Sequence, residues 1–138
     1  MGNTLQADLM AVEDSGLELA VPDDDVRGMV VLYAHDQRIG EVDDLVVDLP
    51  ERRARLLVVA SGGVLGLGAR WHLVPVEAVA RVSEHVRLHH VADHVLAAKE
   101  HDPSLVVIDD VTPVYDHYGA TPFWRAAHRV TYFHDRRW

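Results

Sequence analysis

The stretch Ile39-Gly40-Glu41-Val42-Asp43-Asp44-Leu45-Val46-Val47-Asp48-Leu49 decides the fold. Leu45, Val47 and Leu49 face one way in it, and Asp44, Val46 and Asp48 the other. That alternation predicts a half-buried strand, because successive side chains of an extended chain point to opposite faces. Upstream, Met29–Ala34 is a continuous apolar strand candidate, and His35-Asp36-Gln37-Arg38 reads as the hairpin turn between the two. Downstream, Pro50-Glu51-Arg52-Arg53 turns the chain into Ala54–Ala60, which is apolar, β-branched and fully buried in character. Ser61–Gly68 is a glycine-rich loop. Arg70–Val74 alternates again, with Trp71 and Leu73 on one side, and Pro75–Val79 allows one helical turn. Arg81–Ser83 and Val86–Val91 make a last hairpin, with Val86, Leu88 and His90 on its inner face. The expected fold is mainly β: a small closed barrel of five to six short strands, which hides the edges such apolar strands would expose.

Working outward, residues 1–21 read as an acidic N-terminal extension, residues 22–92 as the barrel, and residues 93–138 as a C-terminal extension of short helices. Leu5, Leu9 and Val12 sit at helical spacing, but Gly16 and Pro22 limit any helix to a few turns. Asp93–Lys99 is predicted as a short helix that His101-Asp102-Pro103 breaks. Thr112 is placed to cap a helix whose first residue is Pro113 and whose end is Gly119. Thr121-Pro122 repeats the device for Phe123–His128, and Arg129–Phe133 is a last strand candidate.

Composition bounds the function. The chain has 138 residues, 49% of them hydrophobic and 25% charged, which is ordinary for one globular domain. With no cysteine, disulfide scaffolds, thiolate zinc sites, iron–sulfur clusters and a cysteine nucleophile are excluded. The longest apolar runs fall far short of the ~20 residues of a membrane span. No early positive charge or apolar signal core precedes the barrel, so no membrane insertion and a cytoplasmic location are expected. The net charge is −9, the wrong sign for a general nucleic-acid binder. It is also uneven: residues 1–25 hold seven acids and no base, while residues 125–138 hold four arginines and one acid. The two ends are suited to attract each other, or the opposite ends of a second copy. Ten histidines carry the net charge from −9 to +1 when all are protonated, so association is expected to change near pH ~5.5.

An ordered set of motifs carries a family resemblance. It runs from Val26-Arg27-Gly28 through Asp36 and Ile39-Gly40-Glu41-Val42 to Leu45-Val46-Val47-Asp48. It continues through Leu56-Leu57-Val58-Val59 and the loop Gly62-Gly63-Val64-Leu65-Gly66-Leu67-Gly68 to Leu73-Val74-Pro75 and Ala78-Val79. About half of the chain resembles a PRC-barrel domain in this way. That family is named for the cytoplasmic domain of the photosynthetic reaction centre H subunit and includes small stand-alone bacterial proteins. Its usual turn has Asp-Gly where this chain has Asp36-Gln37. The resemblance implies a small β-barrel adapter that binds proteins, often as a dimer, with no shared catalytic residues.

The residues give little support to catalysis. A P-loop needs Gly-Lys-Ser/Thr opening a helix, whereas Ala69-Arg70-Trp71 reads as a strand. Asp43-Asp44 and Asp109-Asp110 are adjacent pairs, so in strands their carboxylates diverge, and surface charge is the expectation. Ser61-Gly62-Gly63 lacks the strained elbow of a serine nucleophile. His85, His89, His90 and His94 fall within ten residues, and only His90 and His94 are placed to approach one ion. The main expectation is therefore surface histidines, with His90 partly buried, and no cofactor. Four of the nine aromatic residues fall between Tyr115 and Trp124. Tyr115, Tyr118, Phe123, Trp124, Arg125 and Trp138 are of the types favoured at interface hot spots. They either cover their own barrel or face another protein, and both hold if tails exchange between subunits. The expected function is a non-enzymatic interaction or scaffold module, a homodimer or larger assembly with an unidentified protein partner. The alternative is a small-ligand or metal-binding sensor using residues 85–94.

Overall fold

The computed structural model describes residues 9–17, 25–33, 36–49, 52–62, 69–90, 94–95, 97, 100–102, 107–108 and 111–122. Its centre is a long hairpin of β3 (Arg38–Asp48) and β4 (Arg53–Ser61), paired antiparallel from Gly40↔Ser61 to Asp48↔Arg53. Around it lie β2 (Val30–Leu32), β5 (Arg70–Pro75), β6 (Val79–Val82) and β7 (Val86–Leu88), in the order β5-β4-β3-β2-β7-β6. All neighbours are antiparallel except β2 and β7. The fold is mainly β, as expected.

Closure differs from the expectation. Among the described residues no ladder joins β5 to β6, so the sheet is a curled half-barrel rather than a sealed cylinder. The chain itself makes the corner: β5 runs into a 3-10 turn at Val76–Ala78 and straight on into β6. Val76 and Ala78 are buried in this turn and fill the seam with side chains where a ladder would run.

Two short strands extend the sheet. β1 (Leu9–Ala11) lies antiparallel to the far end of β3, from Leu9↔Asp48 to Ala11↔Val46, and β8 (Val107–Ile108) pairs with β1. Leu9 is thus in a strand, not in the helix its spacing with Val12 predicts. β2 pairs only with the start of β3, and β1 satisfies the backbone groups of that edge further along. One helical turn, α1 (Val12–Ser15), follows and stops at Gly16, whose φ is +73°.

Two register shifts in the β3–β4 hairpin organise the core. One falls between Val42 and Asp44, the other between Val46 and Val47, where Arg55 has no opposite partner. Each leaves one residue out of the alternation, Asp43 and Arg55, and the remaining side chains keep parity across the irregularity. Val42, Leu45, Val47, Ala54, Leu57 and Val59 therefore share the inner core with Val31, Val74, Val86 and Leu88. Val46, Leu56 and Val58 point the other way, into a second cluster with Leu9, Leu73, Val111 and Tyr115. The strand expected to be half-buried is buried on both faces at its end, from Asp44 through Asp48. Full burial of a Leu or Val contributes about 1.5–3 kcal/mol, so both clusters are substantial.

Gly40 explains itself in this frame. A Cβ there would run into the backbone carbonyl of Ala60 across the ladder. The second face is covered by α2 (Thr112–Tyr118). Val111 occupies its N-cap with no side-chain bond, Thr112 follows as the first helical residue and Pro113 as the second, one step from the expected cap. Gly119 ends α2 at φ +62°, its N–H donating to the carbonyls of Asp116 and Tyr115. No helix among the described residues is long and apolar enough to cross a membrane. Most of the glycine loop and the expected elements at Phe123–His128 and Arg129–Phe133 lie outside the described residues.

Candidate functional site

Both carboxylates on the outer face of β3 are put to structural use. Asp44, expected at the surface, is buried. Its Oδ2 accepts from the Glu13 N–H at 3.2 Å and its Oδ1 from the Leu45 N–H at 2.7 Å, tying α1 to the sheet. Burial raises its carboxyl above the usual range, partly offset by those two bonds. Asp43, the unpaired residue of the register shift, is exposed. Asp48 is 1% exposed and pairs with the Arg55 guanidinium at 3.2 Å. Arg55 reaches it because the second irregularity sets that residue aside from the alternation.

α2 closes this face. Tyr115 is fully buried and its hydroxyl lies 3.5 Å from the Arg55 carbonyl, a long contact. Burial pushes its phenol well above the ordinary range. Tyr118, one turn on, is 5% exposed and packs into the inner core, and burial raises its phenol as well. Of the two alternatives the sequence leaves open for these tyrosines, the described structure shows both rings packed inside their own chain. Phe123, Trp124, Arg125 and Trp138 lie outside the described residues.

Tyr118 is also the hub of a histidine cluster. His90, which follows β7, stacks on His94 with ring centroids 5.0 Å apart and planes 15° apart. His94 stacks in turn on His117 of α2, at 4.2 Å and 20°. Tyr118 meets all three edge-on, at 5.1, 5.4 and 5.1 Å. The His94 and His117 Nε2 groups donate reciprocally, each to the other's backbone carbonyl, at 2.8 and 2.7 Å. Burial pushes the His90 imidazole below its ordinary value, the neighbouring His94 charge adds to this, and a bond to the Tyr118 backbone opposes it. His85 is half-buried and His89 is exposed.

The candidate ligands His90 and His94 do come together, but as a stack. Parallel rings hold their nitrogens in separate planes, whereas a metal centre needs lone pairs converging on one point. Among the described residues no group of three or more histidine or acidic side chains is placed to hold a metal ion. Beside the stack is a cavity of about 270 Å³, lined by Glu77, Ala78, His89, His90, Tyr118 and Thr121. His117 was not singled out by sequence reasoning. It stands 23 residues from His94, so no local spacing in the sequence marks the pair.

Two comparisons with known proteins bear on this arrangement. No curated protein matches the chain. The family model of the PRC-barrel domain matches residues 20–95.

Proposed function

The chain belongs to the PRC-barrel domain family, and on that premise we propose that it is a non-enzymatic protein-interaction module of the cytoplasm that self-associates as a homodimer or higher homo-oligomer. The observation that carries this reading is the contrast between the chain's ends. Residues 1–25 hold seven acids and no base, while residues 125–138 hold four arginines and one acid, with Trp138 among them. Opposite charge orients two copies, and buried aromatic surface holds them. Tyr115 and Tyr118 are already occupied, so the contact falls to Phe123, Trp124, Arg125 and Trp138. Among the described residues the outer edge of β6 has no strand partner, which offers a second surface for association. A net charge of −9 disfavours nucleic acid as the partner.

Sedimentation velocity tests the reading. The full chain is expected at twice the monomer mass or more, and a chain ended after Pro122 at the monomer mass. That truncation keeps the buried α2 and removes the residues of the proposed contact. A monomeric full chain at concentrations of ~100 μM, well above those of ordinary specific dimers, overturns it.

The cavity beside His90 favours a second reading, a small-ligand sensor at residues 85–94. A thermal-shift screen decides it. A ligand that raises the melting midpoint of the native chain, but not of His90→Ala, supports this reading, and a screen without hits removes it.

A further inference from the structure

We propose that the stack of His90, His94 and His117 is a proton-operated latch: with neutral rings it holds the end of α2 against the barrel, and on protonation it lets that end and the chain beyond it go. The bonding pattern specifies the neutral form. A carbonyl can only accept, so the Nε2 of both His94 and His117 carries hydrogen. Their Nδ1 atoms are then the basic sites. Two neutral imidazoles pack face to face at 4.2 Å as flat, weakly polar surfaces. Two imidazolium ions at that distance repel strongly, and His90 at 5.0 Å on the other side of His94 adds a third charge to the same column.

The surroundings do not balance that charge. Among the described residues the titratable groups around the stack are few. His89 is next to His90, Glu77 lines the same cavity as His90, Asp116 is exposed beside His117 in α2, and the Tyr118 phenol touches all three rings. With His89 added, four imidazoles face two carboxylates. Separating the column relieves the repulsion, and the part that yields in this proposal is the end of α2. His117 is the last residue but one of that helix, and Gly119 follows as its left-handed stop. When His117 swings away, Tyr118 leaves the inner core, because the two are neighbours on one helical turn.

This inference needs no assembly, so its failure is separable from that of the interaction reading. Hydrogen–deuterium exchange of the full chain, corrected for the intrinsic effect of pH on exchange, tests it at about pH 7.5 and about pH 5.5. Protection of the amides of residues 115–120 is expected to fall by about tenfold or more at the lower pH, while those of β3 and β4 stay protected. In the double variant His94→Gln, His117→Gln, side-chain amides still donate to the two carbonyls but do not titrate, and the pH effect on residues 115–120 is expected to vanish. Unchanged protection in the native chain overturns the latch, as does an equal loss in the double variant. Should the double variant not fold, the native chain still decides. Loss confined to 94–95 and 115–120 supports the latch, and simultaneous loss across β3 and β4 overturns it.

Discussion

The two faces of the β3–β4 hairpin are built on different terms. The hairpin's inner face carries only aliphatic side chains, among them Leu45, Val47, Leu57 and Val59, and is covered by strands within the family match at residues 20–95 together with Val12 of α1 and Tyr118 of α2. The outer face mixes Val46, Leu56 and Val58 with Asp44 and Asp48, and it packs against Leu73 of β5 within that match and against Leu9 of β1, Val111 and Tyr115 of α2 outside it. The matched residues supply most of the inner core, and much of the lid on the outer face comes from residues outside the match. Aliphatic faces specify little beyond burial, whereas each buried carboxylate needs one particular partner. The outer face accordingly fixes where α1 and α2 dock, Glu13 on Asp44 and Tyr115 beside Arg55.

The strongest way to break this contrast is to remove the lid's anchor. Tyr115→Ala is expected to cost about 3–5 kcal/mol in urea unfolding, as much as an inner-core truncation such as Leu57→Ala. A cost below about 1 kcal/mol, the level of an ordinary surface change, would mean that the lid rides on the barrel without being part of its cooperative unit. Asp48→Ala comes next, at about 3 kcal/mol, because it leaves the Arg55 guanidinium buried without its carboxylate. Replacing the pair together, Asp48→Leu with Arg55→Met, is expected to recover most of that loss. A double variant as unstable as the single would show that the pair does more than offset its own burial.

How much of this was legible in the sequence follows from the range of each signal. β-Strand alternation is local, so β3, β4 and β5 could be read, and the 3-10 turn after Pro75 and the stop at Gly119 could be read from single residues. What Leu9 does could not. A three-residue strand carries no period, and its pairing with Asp48 is set by an edge that β2 leaves open. Nor was β8 read as a strand, because the two residues Val107–Ile108 are too short to show alternation. The alternation of β3 shows which residues share a face but not what lies over that face, so burial of Asp44 and Asp48 was invisible. Neither closure nor the histidine stack has a local signature, because ladder partners and ring stacking depend on where distant segments return.

A smaller effect sharpens the inner side. Gly40→Ala is expected to destabilise by about 2 kcal/mol, because the added methyl meets the Ala60 backbone, which cannot yield as a flexible side chain would. Thermal unfolding of that variant should also show the β3–β4 register disturbed, with exchange protection lost at both strands. Arg52 works in the opposite direction. It sits at φ +55° in the tight connection between β3 and β4, and its N–H donates to the Asp48 carbonyl at 2.6 Å. Arg52→Gly is expected to gain about 1 kcal/mol by removing the left-handed strain of a side-chain-bearing residue. No gain would place the strain elsewhere in that turn.

The weakest effect expected concerns pH, and it probes the buried histidines by chemistry rather than by truncation. Burial lowers the imidazoles of His90 and His101 below their ordinary value, with the His94 charge adding to the first and Asp102 opposing the second. A group that is harder to protonate when folded binds more protons in the unfolded chain. Stability is then complete above the ordinary histidine value of about 6.5, and falls as pH drops through it towards the lowered folded values. Urea midpoints between about pH 7.5 and about pH 5.5 should decline in that window. His90→Gln, which leaves His101 in place, should flatten part of the decline and His101→Gln a further part. A decline that survives both variants would assign that share of the acid sensitivity to other groups.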